Sequence, residues 1–217
     1  MTDYTTLRTT MVDTQVRPSD VTKYTVIEAM LSVPREAFVP SELRDAAYAG
    51  EHLAFETGRV ILDPRVLAKM LDFLDIQKDE LVLDIGSGLG YSAAVIARMA
   101  EAVIAVEDDE TRAAEAQSSL ADQNVDNAVV HTAKLTEGAT EHGPYDVIML
   151  QGGVEELPEE FLAQLKEGGR IAALFVEGAL GVVRIGYKLN GIVDWSFAFN
   201  ANAPVLTGFE KRQAFQF

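Results

Sequence analysis

The stretch Leu81-Val82-Leu83-Asp84-Ile85-Gly86-Ser87-Gly88-Leu89-Gly90-Tyr91 decides the fold. Its first five residues make a short apolar run fit for a buried strand, the glycines end it, and alanine-rich Tyr91 to Ala100 reads as a helix. Glycines at such a junction let the backbone turn sharply and approach a ligand that meets the helix N-terminus. The spacing is G-x-G-x-G. The hydride-cofactor fingerprint G-x-G-x-x-G needs glycine at position 91, and that residue is Tyr91. Asp84, directly before the glycines, repels a pyrophosphate and suits a cationic ligand such as a sulfonium with an amino-acid tail. Glu107 closes the next apolar run, 17 residues beyond Gly90. That is near the spacing of about 20 at which a carboxylate accepts ribose hydroxyls. The candidate cofactor contacts are therefore Asp84, Gly86, Ser87, Gly88, Gly90, Tyr91, Glu107 and Asp108 beside it. Together they specify S-adenosyl-L-methionine better than any one alone, against the plainer alternative of a tight turn and a solvated strand end.

Towards the C-terminus, Ala102 to Val106 predicts a second buried strand and Asp109 to Gln123 a helix. Further strands are expected at Ala128 to Thr132, Tyr145 to Leu150 and Arg170 to Val176, with a helix from Glu155 to Lys166 stopped by Gly168-Gly169. Apolar strands alternating with helices predict α/β architecture: a mostly parallel twisted sheet covered on both faces, Rossmann-like. Asn190-Gly191, between Gly181 to Leu189 and Ile192 to Phe199, is a type I′ turn signal, so an antiparallel C-terminal hairpin should close the sheet.

Before about residue 75 the character differs. Ser19 and Asp20 are candidate caps for a helix carrying Val26, Ile27, Met30 and Leu31, ended by Pro34. Pro40 to Asp63 reads as loop. Asp63-Pro64 then opens a helix striped by Val66, Leu67, Met70, Leu71 and Leu74. A single domain over residues 1–217 is expected, with 1–75 a helical extension on the substrate side and 76–217 the cofactor-binding core.

Composition narrows the function classes. With 48% hydrophobic and 24% charged residues, the chain can bury a core and is not disordered. A formal charge of −16, with no basic stripe, makes nucleic acid and anionic membranes poor partners. Cysteine is absent, which removes disulfides, thiolate metal sites and cysteine nucleophiles. No apolar run reaches membrane-spanning length, and Met1-Thr2-Asp3-Tyr4 does not open a secretory signal, so a cytoplasmic location is expected. The chain has no G-x-S-x-G for a serine hydrolase. His52, His131 and His142 share no ligand spacing, so no metal is expected, and His52 reads as a surface imidazole. Arg35 reads as a structural ion-pair partner. Trp195, Phe197 and Phe199 read as residues packing a sheet face, and Asp108-Asp109-Glu110 as a helix N-terminus favoured by the dipole.

A second set of residues is more specific. It comprises Met11-Val12 with Gln15, Ala29-Met30, Val33-Pro34-Arg35-Glu36, Phe38-Val39-Pro40, Ala47-Tyr48, and Ile61 with Pro64. Gly90-Tyr91 with Ala93-Ala94, Pro144-Tyr145-Asp146 with Ile148, Leu157-Pro158, and Gln164-Leu165-Lys166 with Gly168-Gly169 follow. Over about Met11 to Gly208 the sequence resembles the protein-L-isoaspartate O-methyltransferase family, and the N-terminal matches carry most weight because generic methyltransferases lack them. The resemblance implies a class I methyltransferase fold that uses S-adenosyl-L-methionine and releases S-adenosyl-L-homocysteine. It also implies methylation of the free carboxylate of isoaspartyl residues in damaged proteins or peptides, the first step of repair.

The family pattern departs at functional positions. Where the family has Thr-Ile-Ser before the helix-opening proline, its serine marking the active site, this chain has Val60-Ile61-Leu62. Leu62 cannot hydrogen-bond a carboxylate. The family's Gly-Asp-Gly, whose aspartate meets the adenine amino group, corresponds to Ala133-Lys134-Leu135, which puts Lys134 and Leu135 among the implied cofactor contacts. A threonine after the fourth strand corresponds to Gln151. Two alternatives stand beside isoaspartyl methylation: a same-fold methyltransferase with another substrate, and a non-catalytic protein that binds S-adenosyl-L-methionine.

Overall fold

A computed structural model describes residues 2–211. Helix α1 (Tyr4–Met11) runs on through a π-helical turn, Val12–Val16, and a 3-10 turn, Arg17–Ser19, before α2 (Tyr24–Ser32). Ser19 and Asp20 do not cap α2, contrary to expectation. Asp20 takes a left-handed conformation (φ 63°) and ends the preceding turn. The backbone N–H groups of Thr22 and Lys23 are instead satisfied at 3.0 Å each by Asp72 Oδ1. That partner lies about 50 residues away, beyond any local pattern.

The segment read as loop holds a 3-10 turn, Ser41–Ala46, and a two-stranded antiparallel hairpin, β1 (Leu53–Glu56) and β2 (Arg59–Ile61). Gly58 turns it with φ 75°. Helix α3 (Pro64–Leu74) starts where the sequence puts it: Pro64 is its first residue and Asp63 Oδ1 accepts from Val66 N at 2.8 Å.

The main sheet comprises β3 (Leu81–Ile85), β4 (Ala102–Glu107), β5 (Ala128–Thr132), β6 (Tyr145–Val154), β7 (Leu165–Glu177), β8 (Leu180–Leu189) and β9 (Ile192–Asn200). Their order is β5-β4-β3-β6-β7-β8-β9. Neighbours from β5 to β7 are parallel, and β8 and β9 are antiparallel. The turn residues Asn190 (φ 54°) and Gly191 (φ 78°) are both left-handed, as a type I′ turn requires. Crossovers are made by α4 (Tyr91–Ala97), α5 (Glu110–Asp122) and the single turn α6 (Glu159–Leu162). Alternation along β3 sorts its side chains: Val82 joins a core with α1 to α4, whereas Leu83 and Ile85 join a second core with Tyr145, Phe161 and Phe209.

Three expectations fail in this half. The predicted helix from Glu155 to Lys166 shrinks to α6, because the Phe209 carbonyl takes the N–H groups of Glu155 and Glu156 and Leu157-Pro158 bars earlier helical turns. Gly168-Gly169 is no helix stop but an excursion within β7, since Leu165 pairs with Tyr145 and Arg170 with Val147. Nor do the β9 aromatics share a face. A register shift opposite Val183 and Arg184 sends Trp195 against Phe175 on one side and Phe199 against Phe73 on the other. Phe197 is exposed. Among the described residues no helix is long and apolar enough to cross a membrane.

Candidate functional site

In open parallel sheets, ligands bind beyond the strand C-termini where the strand order reverses, and β3, between β4 and β6, is that strand here. Its loop places Gly86, Gly88 and Gly90 at φ 74°, 58° and 93°, conformations strained for any side chain. The Val106 carbonyl of β4 accepts from Gly86 N (2.9 Å) and Ser87 N (3.3 Å), fixing the loop to the sheet. Asp84 is fully buried beneath it. Each of its oxygens is engaged, one by Ser92 Oγ and one by Gln151 Nε2, both at 2.6 Å. Burial pushes its carboxyl up to about 6, against the pull of these hydrogen bonds.

Glu107 ends β4 and has no solvent exposure. Arg59 of β2 grips both its oxygens, Nη2 to Oε2 at 2.6 Å and Nη1 to Oε1 at 3.0 Å. Arg112 of α5 adds Nε and Nη2 to Oε1 at 3.0 and 2.9 Å, and Gly88 N donates to Oε2 at 2.9 Å. Asp108 Oδ1 accepts from Arg59 Nη1 (2.8 Å) and Arg112 Nη2 (3.0 Å). Partial burial pulls the Asp108 carboxyl up, but hydrogen bonding in the cluster and the two guanidinium charges hold it below the ordinary range. Arg112 also pairs with Glu56.

Apolar side chains fill the rest of the cleft. Phe55 of β1 lies 3.0 Å from where a Cβ on Gly88 would stand. Residues 201–211 form a strap along β6, anchored by Gly153 N to Pro204 O (2.8 Å) and Leu206 N to Gly153 O (2.9 Å). Leu206 sits 2.7 and 3.3 Å from the corresponding points on Gly152 and Gly86. On the side of the loop towards α3 and α4 lies a cavity of about 10 Å³ walled by Leu62, Leu67, Ser87, Tyr91 and Gln151, among others. Leu62 thus faces it, and Ser87 Oγ and Tyr91 Oη are buried without hydrogen-bond partners among the described residues.

Arg35 and His52 behave otherwise than expected. Arg35 makes no ion pair among the described residues: fully buried, it donates to the carbonyls of Ala47 (2.7 Å) and Leu62 (2.8 Å) and lies over the Tyr91 ring at 4.7 Å. Burial lowers its pKa. His52 is not a free surface imidazole. Its Nδ1 accepts from Asp63 N at 2.8 Å and its Nε2 meets Asn202 O at 2.6 Å, which fixes the Nε2–H tautomer. Lys134 points to solvent, 80% exposed, and pairs with Glu137 at 2.9 Å, whereas the Leu135 side chain joins the second core. His131 and His142, unrelated by spacing, meet edge to face at 5.4 Å, with Glu141 3.2 Å from His131 Nε2. Sequence reasoning missed Arg59, Phe55, Arg112 and Leu206. Only the Thr57-Gly58 turn signal could have revealed the hairpin carrying the first two.

The sequence profile of the Protein-L-isoaspartate(D-aspartate) O-methyltransferase (PCMT) family matches residues 8–179. Protein-L-isoaspartate O-methyltransferase 1 of Syntrophobacter fumaroxidans is 34% identical over 171 residues, 79% of this chain and 80% of that one. Protein-L-isoaspartate O-methyltransferase 2 of Pelobacter propionicus is 35% identical over 184 residues, 82% of each chain. A solved protein-L-isoaspartate O-methyltransferase superposes with a TM-score of 0.79 at 24% identity, over 94% of this chain and 65% of that one. A Plasmodium falciparum structure named for the same activity, in complex with S-adenosyl-L-homocysteine, gives 0.79 at 20% identity over 95% and 99%.

Proposed function

Because this chain belongs to the protein-L-isoaspartate(D-aspartate) O-methyltransferase family, we propose that it is an S-adenosyl-L-methionine-dependent O-methyltransferase of isoaspartyl carboxylates in damaged proteins. One observation carries the reading: a left-handed glycine loop at the strand switch point stands beside a carboxylate, Glu107, at the end of the neighbouring strand. The donor set fits the cofactor chemically. Glu107 and Asp108 suit ribose hydroxyls, the unpartnered Ser87 Oγ suits the amino-acid end, and the segment Lys134-Leu135 offers backbone and apolar contact to a base. Space for it requires Phe55 and Arg59 to withdraw from the cleft.

The cofactor supplies an electrophilic methyl group; the protein's task is to hold an acceptor against it. A carboxylate with a reference pKa of about 4 is already ionised at neutral pH, so no side chain need take a proton. Orientation in a dry pocket is what remains for the chain to provide. Residues 1–75 form the substrate side in this reading, with Leu62 as an apolar wall and the unpartnered Tyr91 Oη as a donor facing the acceptor. A second reading, an acceptor less polar than isoaspartate, is favoured by Leu62 at the serine position.

Calorimetric titration with S-adenosyl-L-homocysteine, followed by methyl transfer to an isoaspartyl peptide and its aspartyl counterpart, tests the proposal. Binding together with isoaspartyl-selective transfer is expected. Binding without such transfer would move the protein to the second reading, and no binding would remove the cofactor.

A further inference from the structure

We propose that Arg59 is an internal ligand of Glu107: its guanidinium holds the seat of the ribose, and the β1–β2 hairpin must lift before a nucleoside can enter. The proposal rests on the cofactor reading above. Glu107 already receives six donors, from Arg59 Nη1 and Nη2, Arg112 Nε and Nη2, Gly88 N and Asp108 N. An ionised carboxylate offers about four lone-pair sites. Six donors oversubscribe it; departure of Arg59 brings the count to four and uncovers both oxygens, which ribose hydroxyls then share with Arg112 and the two amides.

Arg59 is the donor built to leave. Arg112 projects from α5, anchored in the main fold, whereas Arg59 sits on a hairpin of two short strands with a register shift between Ala54 and Glu56. An isolated two-stranded hairpin is marginal in water, so its side-chain contacts decide its position. Phe55, on the partner strand, lies beneath the Arg59 guanidinium at 5.8 Å and covers Gly88. Withdrawal of the hairpin therefore clears the ribose seat and the glycine loop together. Its tip, Gly58, is left-handed with nothing packed within 4 Å of its missing side chain. Arg112 stays behind and keeps Glu107 paired, so opening strands no buried charge.

Closure divides the intrinsic affinity by the reciprocal of the open fraction, so an equilibrium of roughly 99 to 1 towards closed weakens binding about a hundredfold. The test is calorimetric titration of S-adenosyl-L-homocysteine into the wild type and Arg59→Met, which keeps the stem and removes the fork, with thermal melts to confirm folding. Hydrogen exchange of amides 53–61 in the wild type, free and saturated, is measured alongside. Arg59→Met should bind at least tenfold tighter, or bind where the wild type does not, and ligand should speed exchange in the hairpin. Equal or weaker binding by a folded Arg59→Met while the wild type binds would overturn the latch and leave the cofactor reading standing. If Arg59→Met fails to fold, wild-type exchange decides, and unchanged or increased hairpin protection on binding counts against the latch. Absence of binding by both folded proteins at millimolar ligand would remove the cofactor reading and the latch with it.

Discussion

Gln151 Nε2 donates to Asp84 Oδ1 at 2.6 Å, joining β6 to the end of β3 directly under the glycine loop. With Ser92 on the other oxygen, Asp84 braces the loop from beneath. Its folded-state carboxyl titrates at about 6 against an ordinary 3.8, burial being the main cause. The folded protein therefore holds this proton to higher pH than the unfolded chain. The group's contribution to stability falls as pH rises from about 4 to about 6, by at most about 3 kcal/mol.

Asp84→Asn should abolish that slope. Its amide can still accept from Gln151 and donate to Ser92. The variant should match the wild type near pH 4 and exceed it by up to about 3 kcal/mol at pH 7. Urea denaturation across pH 4–8 measures this, and parallel curves for the two proteins would show that Asp84 is stably ionised.

Glu107→Gln leaves Arg59, only 5% exposed, and Arg112 with Asp108 as their one shared carboxylate. Removing one partner of a buried charge cluster costs about 3–5 kcal/mol, and a loss near the lower figure is expected because Asp108 and Glu56 remain. Chemical denaturation checks it. A loss under about 1 kcal/mol would mean that the two remaining acids suffice.

Leu62→Ser puts a hydroxyl on the cavity wall beside Ser87 and Tyr91. Methyl transfer to an isoaspartyl peptide should rise roughly ten- to a hundredfold, the equivalent of a hydrogen bond to a charged group at about 1.5–3 kcal/mol. Stability should fall by about 2–4 kcal/mol, since a buried leucine is truncated. A stability loss with no gain in rate would assign Leu62 to packing alone.

His52→Ala removes a bridge between Asp63 N and Asn202 O. About 1–3 kcal/mol should be lost, because the Asp63 amide is left without an acceptor. Faster hydrogen exchange should follow in the strap, at Leu206 in particular. Unchanged exchange there would show that the β6 contacts of Pro204 and Gly153 hold the strap without the imidazole.

Local rules sufficed wherever the deciding interaction is short-range. Asp63-Pro64 opens α3, Asn190-Gly191 turns β8 into β9, and the Leu81 to Gly90 run makes a strand and a left-handed loop, because each depends on backbone preferences of neighbouring residues. The strand alternation likewise determined a parallel sheet, since strands covered on both faces must be apolar throughout. Pairings across the chain were decided only by tertiary structure. Asp72 ties down the turn that leads into α2 and Phe209 dissolves most of a predicted helix, each by offering distant backbone groups a partner. Glu107 was legible as a carboxylate at the end of a strand, but not its occupation by Arg59 and Arg112, 48 residues before and five after it. Hydrogen bonds and buried charges are satisfied by whatever the fold brings within about 3 Å, and sequence spacing carries no record of that distance.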